Sequence, residues 1–390
     1  MIKFIYYEAQ RLNMCARGKC RGDILMKKWI SLIVTCTLLA MMAVGCSSNT
    51  NTKSTAASAE AEKLTQIKSK LDKEFTDYYG PDKFSGYVYI SKKGNVLLDK
   101  GYGKADYEKG TENTKQTKYD IGSITKQITA FGIMQLQEKK LLDVNDKVDK
   151  YLAAFPNGNE ITIHQLLCHT SGLPEYSTEF DIKKFRPSYK NFGVEGKDEK
   201  VNFLFSPGKG FQYSNPGYVL LGYIIEKVSG ETLDVYLKKN IFDPLDMKNT
   251  SFRDETGKLS NLATGYETEN KEKIDTSWTL ENVGFVYGSG GLCSTVEDML
   301  KWEKALTEQK LISKESYEKI YTPNEKNYGY GWYIFKDSAG KRSYEHYGTG
   351  VGFRTYFLRA VDEDIKVIII TNYLNAPLED MASLTKDYLK

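Results

Sequence analysis

Histidine is scarce in this chain: three in 390 residues, at positions 164, 169 and 346. None stands in a His-Glu-x-x-His arrangement. His164 and His169 are five apart, which on a helix points them about 140° from each other. A zinc-hydrolase signature is therefore missing, and no metal or other cofactor is expected. Cysteine is nearly as sparse. Of six, only Cys168 and Cys293 lie beyond residue 46; two thiols make a poor disulfide framework for a large domain, and their apolar surroundings favour buried free thiols. A surplus of one charge is also lacking, with a net charge of +3. Without a basic stripe, nucleic acid is not expected as a partner. Long apolar runs are absent too: Trp29 to Val44 falls short of the about 20 residues a spanning helix needs.

That short run has a different use. Met26-Lys27-Lys28 precedes it and Ala43-Val44-Gly45-Cys46 follows, which gives the basic start, apolar core and small-residue cleavage site of an export signal. Cysteine at the cleavage point resembles the lipobox of bacterial lipoproteins. The resemblance implies lipidation of Cys46 as the mature N-terminus and anchoring at the extracellular face of the bacterial cell membrane; the alternative is an ordinary secretory signal with an incidental cysteine. Residues 1–45 then form a removable leader carrying seven Lys/Arg and two acids, and the remainder has a net charge of −2. Residues 46–60, rich in Ser, Thr, Asn and Ala, read as a flexible tether. Residues 61–390 are enough for one large, elaborated domain.

Within that domain Ala59 to Tyr78 has helical spacing, with Leu64, Ile67, Leu71 and Phe75 on one face. The period then changes to a hairpin, Tyr87–Ile90 and Val96–Leu98 around the turn Lys92-Lys93-Gly94-Asn95. Residues of about 132–298 read as mainly helical, including Ile163–Cys168, Gly217–Val228 and Leu233–Leu237, with a long polar loop between Pro174 and Asn202. Strands return at Gly329–Phe335, Arg342–Tyr347, Phe353–Leu358 and Ile365–Thr371, before a last helix from Leu378 to Leu389. The order predicts an α/β (α+β) fold with one antiparallel sheet built from both chain ends, flanked by helices, and an inserted helical part.

Three clusters carry the chemistry. Ser123-x-x-Lys126 puts a hydroxyl and an amine on one face of a helical turn, and a serine hydroxyl becomes a strong nucleophile only when a nearby base takes its proton. Four other Ser-x-x-Lys matches occur by chance, at Ser206, Ser316, Ser338 and Ser383, so context must choose. The second cluster is Tyr213-Ser214-Asn215 and the third His346-Tyr347-Gly348-Thr349. In this order they resemble the serine β-lactamase and penicillin-binding protein superfamily, in its class C-like branch of β-lactamases, D-Ala-D-Ala carboxypeptidases, D-aminopeptidases and esterases. The Leu166–Pro174 stretch and Gly290-Gly291-Leu292 also look like segments of that branch.

The resemblance implies a β-lactamase/transpeptidase-like fold and assigns roles. Ser123 is the nucleophile, with Lys126 and Tyr213 sharing its proton. Asn215 orients the lysine and binds a substrate carbonyl. The backbone N–H groups of Ser123 and Thr349 hold the oxyanion, and Gly348 leaves room for substrate along the strand. His346 stands where many relatives carry lysine; an imidazole with pKa near 6.5 is mostly neutral at pH 7 and binds a carboxylate more weakly. The expected activity is a cell-surface serine hydrolase acting through a Ser123 acyl-enzyme on D-alanyl peptides or D-amino acyl esters of the cell envelope. The alternatives are a β-lactamase and a non-catalytic penicillin-binding or envelope-interaction protein. Blander readings of the same residues are a surface helix pair for Ser123 and Lys126, a turn for Tyr213 and Asn215, and a hydrogen bond within the sheet for His346.

Overall fold

The two chain ends meet in one sheet. In the computed structural model the described residues are 51–78, 83–153, 155–175, 202–253, 259–267, 272–274 and 287–389. The leader, Cys46 and nearly all of the polar stretch between Pro174 and Asn202 lie outside them. The chain divides into two units, residues 1–64 and 65–390.

Helix α1 spans Asn51–Lys73 and ends in a π-helical turn, Glu74–Tyr78. Residues 51–60, read from composition as tether, are helical instead. Alanines at 56, 57, 59 and 61 supply the propensity that the Ser/Thr content obscured. Farther along, Leu71 and Phe75 are buried, and Phe75 packs on Phe84 and Tyr102. Strands β1 (Gly86–Lys92) and β2 (Asn95–Tyr102) form the expected hairpin. Lys93 and Gly94 turn it with φ of 50° and 74°, the left-handed pair whose twist matches that of the flanking strands.

Short strands β3 (Lys104–Asp106), β4 (Thr111–Glu112) and β5 (Tyr119–Asp120) lead to a 3₁₀ turn, Gly122–Ile124, and then α2 (Thr125–Glu138). After these come α3 (Ile163–Leu167), α4 (Asn215–Ser229), α5 (Leu233–Leu237), β6 (Ser251–Phe252) and β7 (Leu292–Ser294). The last stretch holds α6 (Val296–Thr307), α7 (Lys314–Ile320), β8 (Tyr333–Lys336), β9 (Arg342–Gly350), β10 (Phe353–Ala360), β11 (Ile365–Thr371) and α8 (Leu378–Leu389). Strand β8 begins four residues later than the pattern suggests, because Gly331 takes a φ of 80° and closes against the backbone of Gln127.

The main sheet has the order β2-β1-β11-β10-β9-β8, antiparallel throughout. Its seam joins chain ends: Gly86 faces Thr371 and Lys92 faces Ile365. All eight residues of β10 are buried, since α8 packs on one side of it and the turn bearing Ser123 on the other. Helix α2 is buried from Thr125 to Leu136 and packs against α4, where a Cβ added to Gly132 would come within 3.1 Å of Ile225. The 132–298 region is not wholly helical. Strand β7 pairs with β5 on one side and with β6 on the other, and one apolar core runs from helices to sheet.

Cys168 and Cys293 are buried and unpaired. Burial pushes both thiols up, that of Cys293 to about 12. Peptide mapping after native-state iodoacetamide at pH 8 should find both unmodified, and denaturation should expose them; fast native alkylation of either would contradict their burial.

Candidate active site

Ser123 is held by the segment before it and by a strand from the far end of the chain. The Gly122 N–H donates to Asp120 Oδ1 at 2.9 Å, and the buried Arg253 guanidinium lies 3.6 Å from Asp120 Oδ2. Burial raises the Asp120 carboxyl even so, with Arg253 and the Gly122 N–H opposing it. Strand β9 presses directly on this turn. A Cβ on Gly122, whose φ is 52°, would sit 2.5 Å from the Thr349 nitrogen, and one on Gly348 would sit 2.1 Å from Ile121 O. That corrects the reason for Gly348. Its missing side chain makes room for the nucleophile's own backbone rather than for substrate, and the close fit brings the backbone of Thr349 beside the Ser123 turn.

One helical turn on, the Lys126 side chain is wholly buried. Its Nζ lies 3.0 Å from Ser123 Oγ and donates to Asn215 Oδ1 at 2.6 Å and to the Ser289 carbonyl at 2.7 Å. Tyr213 and Tyr218 present their rings to it at 4.8 and 5.6 Å. Burial pulls the amine down to about 7, with the Glu175 carboxylate pulling the other way. The geometry suits a neutral amine: two N–H groups meet two carbonyl oxygens, and the lone pair is left for the serine hydroxyl.

Asn215 opens α4. Ser214 caps that helix by accepting from the Gly217 N–H, Pro216 sits in the first turn and Gly230 ends it with a φ of 73°. The cap fixes Tyr213 and Asn215 on either side of Ser214. His169, turned left-handed with a φ of 60° after α3, accepts from the Ser214 N–H at 3.0 Å and lays its ring 4.3 Å from that of Tyr213. Burial and Lys126 hold this imidazole well below its usual range.

His346, 2% exposed, accepts from the Tyr328 hydroxyl at Nε2, 3.0 Å away, and donates from Nδ1 to the Tyr347 carbonyl. Burial first, then Lys126, push it down to about 3, with the Tyr347 carbonyl opposing. The expectation of a group titrating near 6.5 is overturned: this imidazole stays neutral throughout the physiological range. Its ring-carbon shifts should therefore stay flat from pH 8 to pH 5, and a midpoint above 5.5 would contradict the arrangement.

The structure thus gathers Ser123, Lys126, Tyr213, Asn215, His346, Gly348 and Thr349 into one region. It also adds residues that the motifs did not name as site residues: His169, Glu175, Ser289 and Tyr328. His169 and Ser289 lie in or beside the flagged segments Leu166–Pro174 and Gly290–Leu292, a signal that helix-spacing arguments passed over. Tyr328 carried none. Among the described residues no group of three or more His, Cys, Asp or Glu could hold a metal.

The family model described as Beta-lactamase matches residues 72–389. The chain belongs to the beta-lactamase family. Within the family, the chain is similar to PbpX of Bacillus subtilis (strain 168), provisionally named a penicillin-binding protein, with 31% identity over 331 residues, 84% of this chain and 81% of that one. It is 32% identical over 255 residues to the teichoic acid D-alanine hydrolase of Staphylococcus aureus, covering 64% of this chain and 62% of that protein. Among solved family structures, the octameric penicillin-binding protein homologue from Pyrococcus abyssi superposes with a TM-score of 0.69 at 30% identity, over 82% of this chain and 77% of that one.

Proposed function

We propose that this protein is a serine hydrolase that forms an acyl-enzyme on Ser123 and acts on D-alanyl esters or peptides of the bacterial cell envelope. The observation that carries the reading is the buried Lys126 amine, 3.0 Å from Ser123 Oγ with its other contacts taken by carbonyl oxygens. Ser123 Oγ attacks the acyl carbon, and its proton passes to Lys126, with Tyr213 beside the amine as the second proton carrier. The backbone N–H groups of Ser123 and Thr349 receive the oxyanion. Collapse breaks the bond to the alcohol or amine, which leaves with the proton. Water then attacks the acyl-enzyme and gives its proton to the same base; the Oγ–C bond breaks, the acid leaves, and the base returns the proton to Ser123 Oγ.

Esters are favoured over carboxylate-terminated peptides by the neutral His346. A substrate carboxylate gains little from an uncharged imidazole, whereas a D-alanyl ester carries an ammonium and needs no cationic anchor. The name of the staphylococcal relative, a teichoic acid D-alanine hydrolase, supports the same class. Export and anchoring through Cys46 complete the proposal: Cys46→Ala should move the protein into the medium, and continued membrane retention would remove the anchor.

Intact mass after exposure to a fluorophosphonate, a D-alanyl ester, a D-Ala-D-Ala peptide and a penicillin tests the reaction, with Ser123→Ala as control. A fluorophosphonate adduct on the wild type alone, with ester turnover exceeding peptide turnover, is expected. No adduct on the wild type sinks the hydrolase reading. Fast nitrocefin turnover beside a silent ester favours the β-lactamase alternative.

A further inference from the structure

Asn215 is gripped from its far side by a carboxylate that the acyl-transfer steps leave unused. Glu175 stands at the end of the Thr170–Glu175 segment after α3. Its Oε2 accepts from the Asn215 backbone N–H at 3.1 Å, and its Oε1 accepts from Asn215 Nδ2 at 3.2 Å. The remaining atom of that amide, Oδ1, takes the Lys126 hydrogen at 2.6 Å. An asparagine amide can sit in two orientations, differing in which end faces which neighbour. The flipped form would aim NH₂ at the lysine amine and oxygen at the carboxylate, two mismatches at once. The backbone N–H that Glu175 also takes belongs to the first turn of a 15-residue helix, where no intrahelical acceptor exists and a negative charge is favoured.

We propose that Glu175 is a positioning residue that locks Asn215 in the orientation presenting Oδ1 to Lys126, and that it thereby sets the charge and aim of the amine facing Ser123. The inference rests on the acyl-enzyme reading for its purpose, but the lock itself is independent of turnover. The groups facing Lys126 are Asn215 and Tyr218 from α4, Tyr213 before it, the Ser289 carbonyl ahead of β7, His346 from β9 and His169 after α3. Both imidazoles are held neutral, so Glu175 is the anion opposing burial at the lysine. Removing its charge should let the amine lose its proton at lower pH.

The test is a titration of Lys126 by ¹³Cε-lysine NMR in the wild type, Glu175→Gln and Glu175→Asp, with phosphonylation of Ser123 followed in parallel by intact mass. In Glu175→Gln the Lys126 midpoint should fall by about 1 pH unit. The rising limb of the phosphonylation rate should fall with it, and the plateau should drop about 10-fold as Asn215 loses one acceptor. Glu175→Asp retains the charge and should keep the midpoint near the wild-type value. An unchanged midpoint in Glu175→Gln, or an equal fall in Glu175→Asp, overturns the proposal. A wild type that resists phosphonylation strikes the hydrolase reading instead, and the NMR midpoints still decide the role of Glu175.

Discussion

Lys126→Met is expected to slow acylation of Ser123 by about 10³-fold, the range spanned by loss of a positioned general base. It should also change how stability depends on pH. The folded amine sits at about 7 against an ordinary 10.5, a depressed base. Below pH 7 both states hold the proton, and the folded state bears the full burden of burying the charge, about 5 kcal/mol at 1.36 kcal/mol per unit. Between pH 7 and 10.5 the unfolded chain binds the extra proton, so wild-type stability rises with pH across that window. Methionine removes this dependence but leaves Asn215 Oδ1 and the Ser289 carbonyl without their donor, at about 1–3 kcal/mol each. The variant should therefore compare best with the wild type below pH 7 and progressively worse toward pH 10. Denaturant titrations at pH 6, 8 and 10, beside fluorophosphonate kinetics, check both parts. A stability difference that does not vary with pH would show that the amine is not buried as described.

Gly348→Ala should lower both stability and rate, because its added methyl drives into the backbone that carries Ser123. The new carbon would meet Ile121 O at 2.1 Å, Ile121 C at 3.0 Å and Ile124 Cγ1 at 3.2 Å. Backbone against backbone cannot be relieved by a rotamer change, so either β9 or the Ser123 turn must move. A loss of about 3 kcal/mol is expected. The rate should fall about 10²-fold, because a shift of roughly 1 Å between Thr349 and Ser123 misplaces the oxyanion donors. Calorimetry and phosphonylation rates measure the two effects. Unfolding and reactivity like those of the wild type would show that the two backbones are not in such close contact.

Much of the fold was legible because its signals are local. The β1–β2 turn announces itself through Lys93-Gly94, and the body of α4 through the helical spacing of Gly217–Val228. The strands β10 and β11 were placed from the sequence too, although their order beside β1 follows only from the logic of closing a sheet with both chain ends. Residues 51–60 misled because composition was weighed above alanine propensity. In the site, the Ser123–Lys126 spacing is readable because one helical turn enforces it. The grip of Glu175 on Asn215 is not, since 40 residues separate them and no period links them. Tyr328 and the Ser289 carbonyl are hidden for a related reason: a backbone oxygen has no residue signature, and a buried tyrosine looks like any core aromatic. His346 was read from its free-solution behaviour, while its neighbours and its burial decide its charge.

The seam between β1 and β11 also bears on how the molecule is made. Strand β1 leaves the ribosome some 280 residues before its inner neighbour, a separation visible in the pairing of Gly86 with Thr371. Throughout that interval the nascent hairpin exposes a row of unsatisfied peptide groups, a template for association with other chains. Synthesis must be nearly finished before this edge can be covered, so completion of the sheet waits on the last strands of the chain.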